Sequence, residues 1–89
     1  MAELVETLIF EHDGTSVPVE ILKTQKGSLF VAVDHNSWNK LTGKYTIEQH
    51  DAIFCGLHRW FIECNIFVDR WTSIQINNKN APIYWLKDK

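Results

Sequence analysis

The stretch TIEQHDAIFCGLHRWFIEC, residues 46–64, decides the fold, because it carries the clearest helical periodicity in the chain. Thr46 and Gln49 match a capping box, in which each side chain accepts a hydrogen bond from the backbone N–H of the other residue. With about 100° of rotation per residue, one broad and largely apolar stripe follows. Its members are His50, Ile53, Phe54, Leu57, Trp60, Phe61 and Cys64. The stretch therefore predicts an amphipathic helix that begins at Thr46.

The same helix carries residue types that occur in metal and catalytic sites. Asp51, Cys55 and His58 lie on one flank, but structural zinc needs four ligands, commonly paired as CxxC or HxxxH, and the chain contains neither pair. A Cys55–His58 nucleophile in mid-helix lacks an obvious oxyanion hole. His50 is predicted to be a core histidine with one satisfied hydrogen bond. We therefore predict no catalytic residue, no metal site and no cofactor.

The segments before the helix are typical of a three-stranded meander. Asp13-Gly14 is a strong signal for a two-residue hairpin, which would pair residues 4–11 with residues 16–22. Gly27 in KTQKG supplies a second turn before the strand SLFVAV. Residues 34–45, DHNSWNKLTGKY, are polar and rich in turn formers, so we expect a loop with at most one helical turn near Ser37 to Leu41.

The segments after the helix predict a final hairpin. Asn65 and the β-branched run IFV favour a helix stop, and TSIQI and PIYWL then pair across NNKNA. The order is β-β-β-α-β-β. The predicted fold class is α+β, with a curled antiparallel sheet of about five strands packed against one long helix in a single domain, residues 1–89.

Composition and charge narrow the class of protein. The chain has 89 residues, 45% of them hydrophobic and 22% charged, which is typical of an ordinary globular domain. It shows no basic leader and no apolar run long enough to span a bilayer. Cys55 and Cys64, nine residues apart on one helix, are too distant to form a disulfide. These features predict a cytoplasmic protein that is not bound to a membrane.

Charge is distributed unevenly along the chain. Residues 1–22 carry five acidic groups and no Lys or Arg, whereas residues 23–89 carry nine basic and six acidic groups. An acidic segment of this kind either faces a basic partner or is simply a solvated strand surface. The scattered basic residues and the net charge of −2 argue against nucleic acid as a partner.

The predicted strands are apolar on both faces, which one helix is too narrow to cover. Leu8 and Phe10 oppose Val5 and Ile9 in the first strand, and the third and fifth strands behave alike. The second face must therefore be curled onto itself, covered by the 34–45 loop, or covered by another chain. Candidate contact residues for a protein partner are His35, Asn36, Trp38, Lys40, Phe30 and Tyr84.

These features predict a non-enzymatic protein-interaction module. It would act as a small accessory protein, adaptor or inhibitor, on a protein partner or as a homodimer. The alternative is a small-molecule-binding protein with a cavity between helix and sheet. Candidate lining residues of that cavity are Phe54, Trp60, Phe61 and Trp85. An enzyme or a nucleic-acid binder ranks third.

Overall fold

The computed structural model describes residues 2–87 and has the α+β class predicted from the sequence. Five strands form one antiparallel sheet in the order β1-β2-β3-β5-β4, with two helices between β3 and β4. The elements are β1 (Glu3–His12), β2 (Thr15–Lys23), β3 (Leu29–Val33), α1 (His35–Thr42), α2 (Ile47–Glu63), β4 (Val68–Ile76) and β5 (Lys79–Leu86).

The three predicted hairpins are confirmed, including the one around Gly27, which has φ 89° between β2 and β3. Asp13 and Gly14 have φ of 49° and 77°, as a two-residue type I′ turn requires, and His12 pairs with Thr15 across it. In the final hairpin, which joins β4 to β5, the turn is shorter than predicted. Asn77 and Asn78 alone have positive φ, 52° and 64°, so the residues after them already belong to β5. Strand β4 also begins earlier than the predicted TSIQI segment.

Residues 34–45 are not the loop predicted from their polar composition, and the chain has two helices instead of one. The Asp34 carboxylate caps α1 by accepting the backbone N–H of Ser37 at 2.9 Å. Trp38 and Leu41, three residues apart, are both buried on one face of α1. A single turn of apolar contacts therefore suffices to hold a short helix whose remaining residues are polar.

Helix α2 confirms the predicted start and stop. Gln49 Oε1 accepts the backbone N–H of Thr46 at 2.9 Å, the reciprocal half of the capping box. Ile53, Leu57 and Phe61 are buried along one stripe. The helix ends at Glu63, and Asn65 then takes a left-handed conformation with φ 61°, which turns the chain toward β4.

The core lies between the two helices and one face of the sheet, here called the inner face. Alternate residues of β2 and β3 are buried there together with Phe10 and Tyr84. Trp38 of α1 packs against Phe54 of α2 with ring centroids 5.2 Å apart, so both helices lie on the inner side. The described core residues are Phe10, Val17, Val19, Ile21, Val31, Val33, Trp38, Leu41, Ile53, Leu57, Phe61, Ile66, Ala81 and Tyr84.

The sheet is open, since β1 and β4 are its two edges. Neither helix within residues 2–87 is long and apolar enough to cross a membrane.

Candidate functional site

The face of the sheet opposite the helices, here called the outer face, is largely apolar and carries no covering layer from residues 2–87. Strand pairing arranges it in rows that cross the whole sheet. The first row is Leu4, Leu22, Phe30, Trp85 and Arg70. The second row is Thr7, Glu20, Ala32, Ile83 and Thr72. Ile9 and Pro18 form part of a third row.

The degree of burial on the outer face decreases toward the β1 edge. Phe30, Trp85 and Leu22, near the centre, are half-buried by one another. Ile9 and Leu4, on β1, have 49% and 52% of their surface exposed. Of the three coverings considered for this face, the 34–45 segment supplies only Asp34, His35 and Asn36, which lie beside Glu20 and Ala32 at one end, while Trp38 of α1 packs on the inner side.

Charges of opposite sign occupy opposite halves of the outer face. Glu20 lies on β2 and is exposed. Arg70 lies on β4, and its guanidinium carbon sits 5.0 Å from the centroid of the Trp85 ring, which fixes the positive charge on the outer side. The acidic residues among the first 22 therefore lie together at one end of the sheet, because β1 and β2 are neighbours there.

A second concave surface lies between α2 and β4, here called the α2–β4 groove. It lies at one end of the sheet, where β4 is the edge strand. Its volume is about 400 Å³, within the usual range of small-molecule sites. Its lining residues are His58, Phe61, Ile62, Ile66, Phe67, Val68, Asp69, Arg70, Trp71, Tyr84 and Lys87.

The floor of the groove is aromatic and is fixed by one polar contact. A hydrogen bond of 2.9 Å joins His58 Nε2 to the hydroxyl of Tyr84, a fully buried side chain. Burial lowers the pKa of the His58 imidazole and raises the pKa of the Tyr84 phenol. Both groups are therefore held neutral at pH 7. Trp71 forms one wall, remains 48% exposed, and packs against the His58 ring at a centroid distance of 6.1 Å.

The structure separates the six predicted partner-contact residues. Phe30 alone belongs to the outer face, and Lys40 is exposed on α1. His35 Nε2 donates to the Ile74 carbonyl at 3.0 Å, and Asn36 Oδ1 accepts from Lys79 Nζ at 2.6 Å. These two residues thus join α1 to the β4–β5 hairpin. The remaining pair, Trp38 and Tyr84, is buried in the core.

The four predicted lining residues are also separated. Phe61 lines the α2–β4 groove. Phe54 lies next to it, 5.4 Å from Trp71 between ring centroids. Trp60 packs instead against Phe10 at 5.4 Å, on the β1 side of the helix. Trp85 belongs to the outer face, on the opposite side of the sheet.

Several residues of the two surfaces were not singled out from the sequence. Leu22, Arg70 and Ile83 belong to the outer face, and Phe67 and Trp71 line the groove. For the outer-face residues, the sequence signal is that apolar and polar residues do not alternate cleanly along the strands. The second group has no local signal, because the groove depends on where β4 lies in the sheet.

The histidines of α1 and α2 serve mainly as structural links. His50 is half-buried and not a core residue as predicted, but its Nε2 donates the predicted single hydrogen bond, to the Thr42 carbonyl at 2.9 Å, and ties α2 to the end of α1. Within the described part of the chain, no three His, Cys, Asp or Glu side chains are grouped in a way that could hold a metal ion.

Comparisons with known proteins place the chain in no described group. No family model, no curated protein and no solved structure matches it.

Proposed function

We propose that this protein is a non-enzymatic protein-interaction module that binds its partner through the outer face. The observation that carries the proposal is the first row of this face, in which Leu22, Phe30 and Trp85 lie side by side with no covering layer. An antiparallel sheet with one solvated face normally carries polar residues there. A contiguous apolar surface on a small domain instead marks an interaction site.

Binding without catalysis fits the use of the ionisable side chains. His35 and His50 donate to main-chain carbonyls, and His58 is bonded to a buried tyrosine. Groups committed to such contacts stabilise the fold and are poorly placed for proton transfer to a substrate. Cys55 and Cys64 are both unpaired, which supports a reducing, cytoplasmic setting.

The test compares two doubly substituted proteins that gain the same charge. Leu22→Lys with Phe30→Lys changes the outer face, whereas Ile47→Lys with Ala52→Lys changes exposed positions on α2 that lie outside the groove. Lysine is chosen because its long aliphatic stem keeps part of the apolar contact within the sheet, which helps the variant to fold. We expect the outer-face variant to lose at least about 90% of wild-type binding, as is usual for residues at the centre of an interface.

Binding is measured in two ways, as self-association by light scattering and as retention of proteins from a lysate of the source organism. Circular dichroism checks that both variants fold. Equal binding by the wild type and both variants would contradict the proposal. So would a wild-type protein that neither associates with itself nor retains any protein that the outer-face variant releases.

The α2–β4 groove supports a second candidate function, binding of a small apolar ligand. Phe61 and Tyr84 form its floor, and Phe67 and Trp71 at its walls have 55% and 48% of their surface exposed. Seven of the eleven lining residues are apolar or aromatic, as is typical of such sites, and the other four are His58, Asp69, Arg70 and Lys87. The ligand class is an uncharged aromatic or branched aliphatic molecule.

This second candidate is tested with N-phenyl-1-naphthylamine, an uncharged probe that fluoresces in apolar sites. We expect saturable binding by the wild type and a roughly tenfold weaker affinity for Phe67→Asp, because a charge in the groove must be desolvated. Ile76→Asp, at an equally exposed position near the β4–β5 turn, should bind as the wild type does. Equal affinities for all three proteins would exclude the groove.

A further inference from the structure

We propose that the partner covering the outer face is a second copy of this chain, related by a two-fold axis that runs parallel to β3. This inference rests on the proposed function and names its partner. Strand β3 is the middle strand of the sheet, with two strands on either side. Rotation about an axis along it turns one outer face onto the other and lays β2 of one copy over β5 of its partner.

This arrangement keeps each row of the outer face opposite the same row of the partner. Phe30 lies on the axis and faces the partner's Phe30, and Leu22 faces the partner's Trp85. In the second row, Ala32 faces the partner's Ala32. The most apolar row of one copy therefore faces the same row of its partner. A two-fold interface requires this kind of self-complementary surface.

The charges of the outer face match in the same arrangement. The axis brings the Glu20 half of one copy over the Arg70 half of its partner, so that two opposite-charge pairs form. With strands ~4.8 Å apart, a rise of ~3.4 Å per residue and sheets ~10 Å apart, the Cα atoms of each pair lie roughly 13 Å from one another. The Arg70 guanidinium lies over its own Trp85 ring, on the strand that faces the partner's β2, so it is displaced toward Glu20 and shortens the gap that the Glu side chain must span.

A two-fold axis perpendicular to the strands would not give this match. It would place each strand over the same strand of the partner, with the Glu20 side facing the Glu20 side and Arg70 facing Arg70. Like charges brought together across an interface oppose association. The polarity of the outer face thus selects the axis along β3.

The available area is sufficient for a stable dimer. Five strands at ~4.8 Å spacing, with about six residues of each strand in contact, give a flat footprint of roughly 500 Å². The accessible surface of a face with protruding side chains exceeds its flat projection. The accessible surface that each copy would bury therefore approaches the ~600–1,000 Å² per partner of standard interfaces. The product is a four-layer particle in which two sheets pack face to face with their middle strands parallel, within the aligned class of sheet packing.

Charge reversal tests the arrangement in the intact protein. Glu20→Lys and Arg70→Glu are made separately and together, and the dimer dissociation constant is measured by sedimentation at several protein concentrations and at low salt. Each single reversal brings like charges together and is expected to weaken the dimer about tenfold. The double reversal restores both pairs with exchanged signs and is expected to return the constant to within about threefold of the wild type.

Matched controls are Glu48→Lys and Arg59→Glu, the same charge changes at exposed positions of α2, which should leave the constant unchanged. A monomeric wild type, or a dimer unaffected by the reversals, would overturn the inference. Weakening by both single reversals without recovery in the double variant would overturn the axis along β3. None of these results would refute the proposed function, which fails separately if the Leu22→Lys, Phe30→Lys protein self-associates and retains lysate proteins as the wild type does.

Discussion

Replacing Phe61 with alanine is expected to lower the free energy of unfolding by about 3–5 kcal/mol, the usual cost of removing a buried phenylalanine. Phe61 is 1% exposed and is the point where α2 meets the sheet. Its ring packs edge-on against Tyr84, with centroids 4.8 Å apart, and lies 5.7 Å from the ring of Trp60. The cavity left by alanine would separate these two aromatic side chains. Urea unfolding followed by circular dichroism measures the loss.

The adjacent residue provides the control. Ile62 has 64% of its surface exposed, so Ile62→Ala should change the unfolding free energy by less than about 1 kcal/mol. Both variants are compared with the wild type at one protein concentration, since self-association would add to the apparent stability. Similar losses for the two variants would contradict the packing described for α2. If Phe61→Ala does not fold, Phe61→Leu should show a smaller loss of the same kind.

The parts of the fold that sequence analysis predicted well depend on local signals. Asp13-Gly14 requires only that two adjacent residues adopt positive φ, and the capping box joins residues three apart. The end of α2 follows from Asn65, which takes the left-handed conformation with little strain. The division of apolar residues between the two faces of β3 and β5 was also predictable, because side chains alternate along a regular strand. In β1 a register shift between Leu4 and Glu6 pairs Leu4, and not Val5, with Leu22 of the outer face.

Helix α1 was missed because its stability comes from tertiary contacts. Only Trp38 and Leu41 are buried in it, and the rest of its sequence is typical of a loop. The ring of Trp38 is buried by Phe54, which lies 16 residues later in the chain and on another helix. A contact of this kind outweighs the local composition but is not visible in it.

The candidate surfaces were predictable only in part, for the same reason. The doubly apolar strands indicated an uncovered face, and Phe30 was identified on it. The rows that cross the sheet depend on the insertion of β5 between β3 and β4, which brings Trp85 beside Phe30 and Arg70 beside Trp85. Neither the charge polarity of the outer face nor the α2–β4 groove follows until that strand order is known.

Replacing Trp38 with alanine is also expected to cost about 3–5 kcal/mol of unfolding free energy, because the side chain is large and buried. Trp38 is 4% exposed and, with Leu41, holds α1 against the rest of the core. Loss of the ring should also free His35 and Asn36 from the β4–β5 hairpin, since α1 positions both contacts. Urea unfolding and amide hydrogen exchange of residues 35–42 measure the two effects.

This substitution distinguishes a core role for Trp38 from a role in partner contact. A core residue lowers stability and increases exchange throughout α1, whereas a contact residue would leave both unchanged and weaken binding alone. Lys40→Ala, on the exposed side of the same helix, is the matched control and should change the unfolding free energy by less than about 0.5 kcal/mol. A Trp38→Ala protein as stable as the wild type would show that α1 is held by other contacts. If that variant also bound its partner more weakly, protein binding would include α1 as well as the outer face.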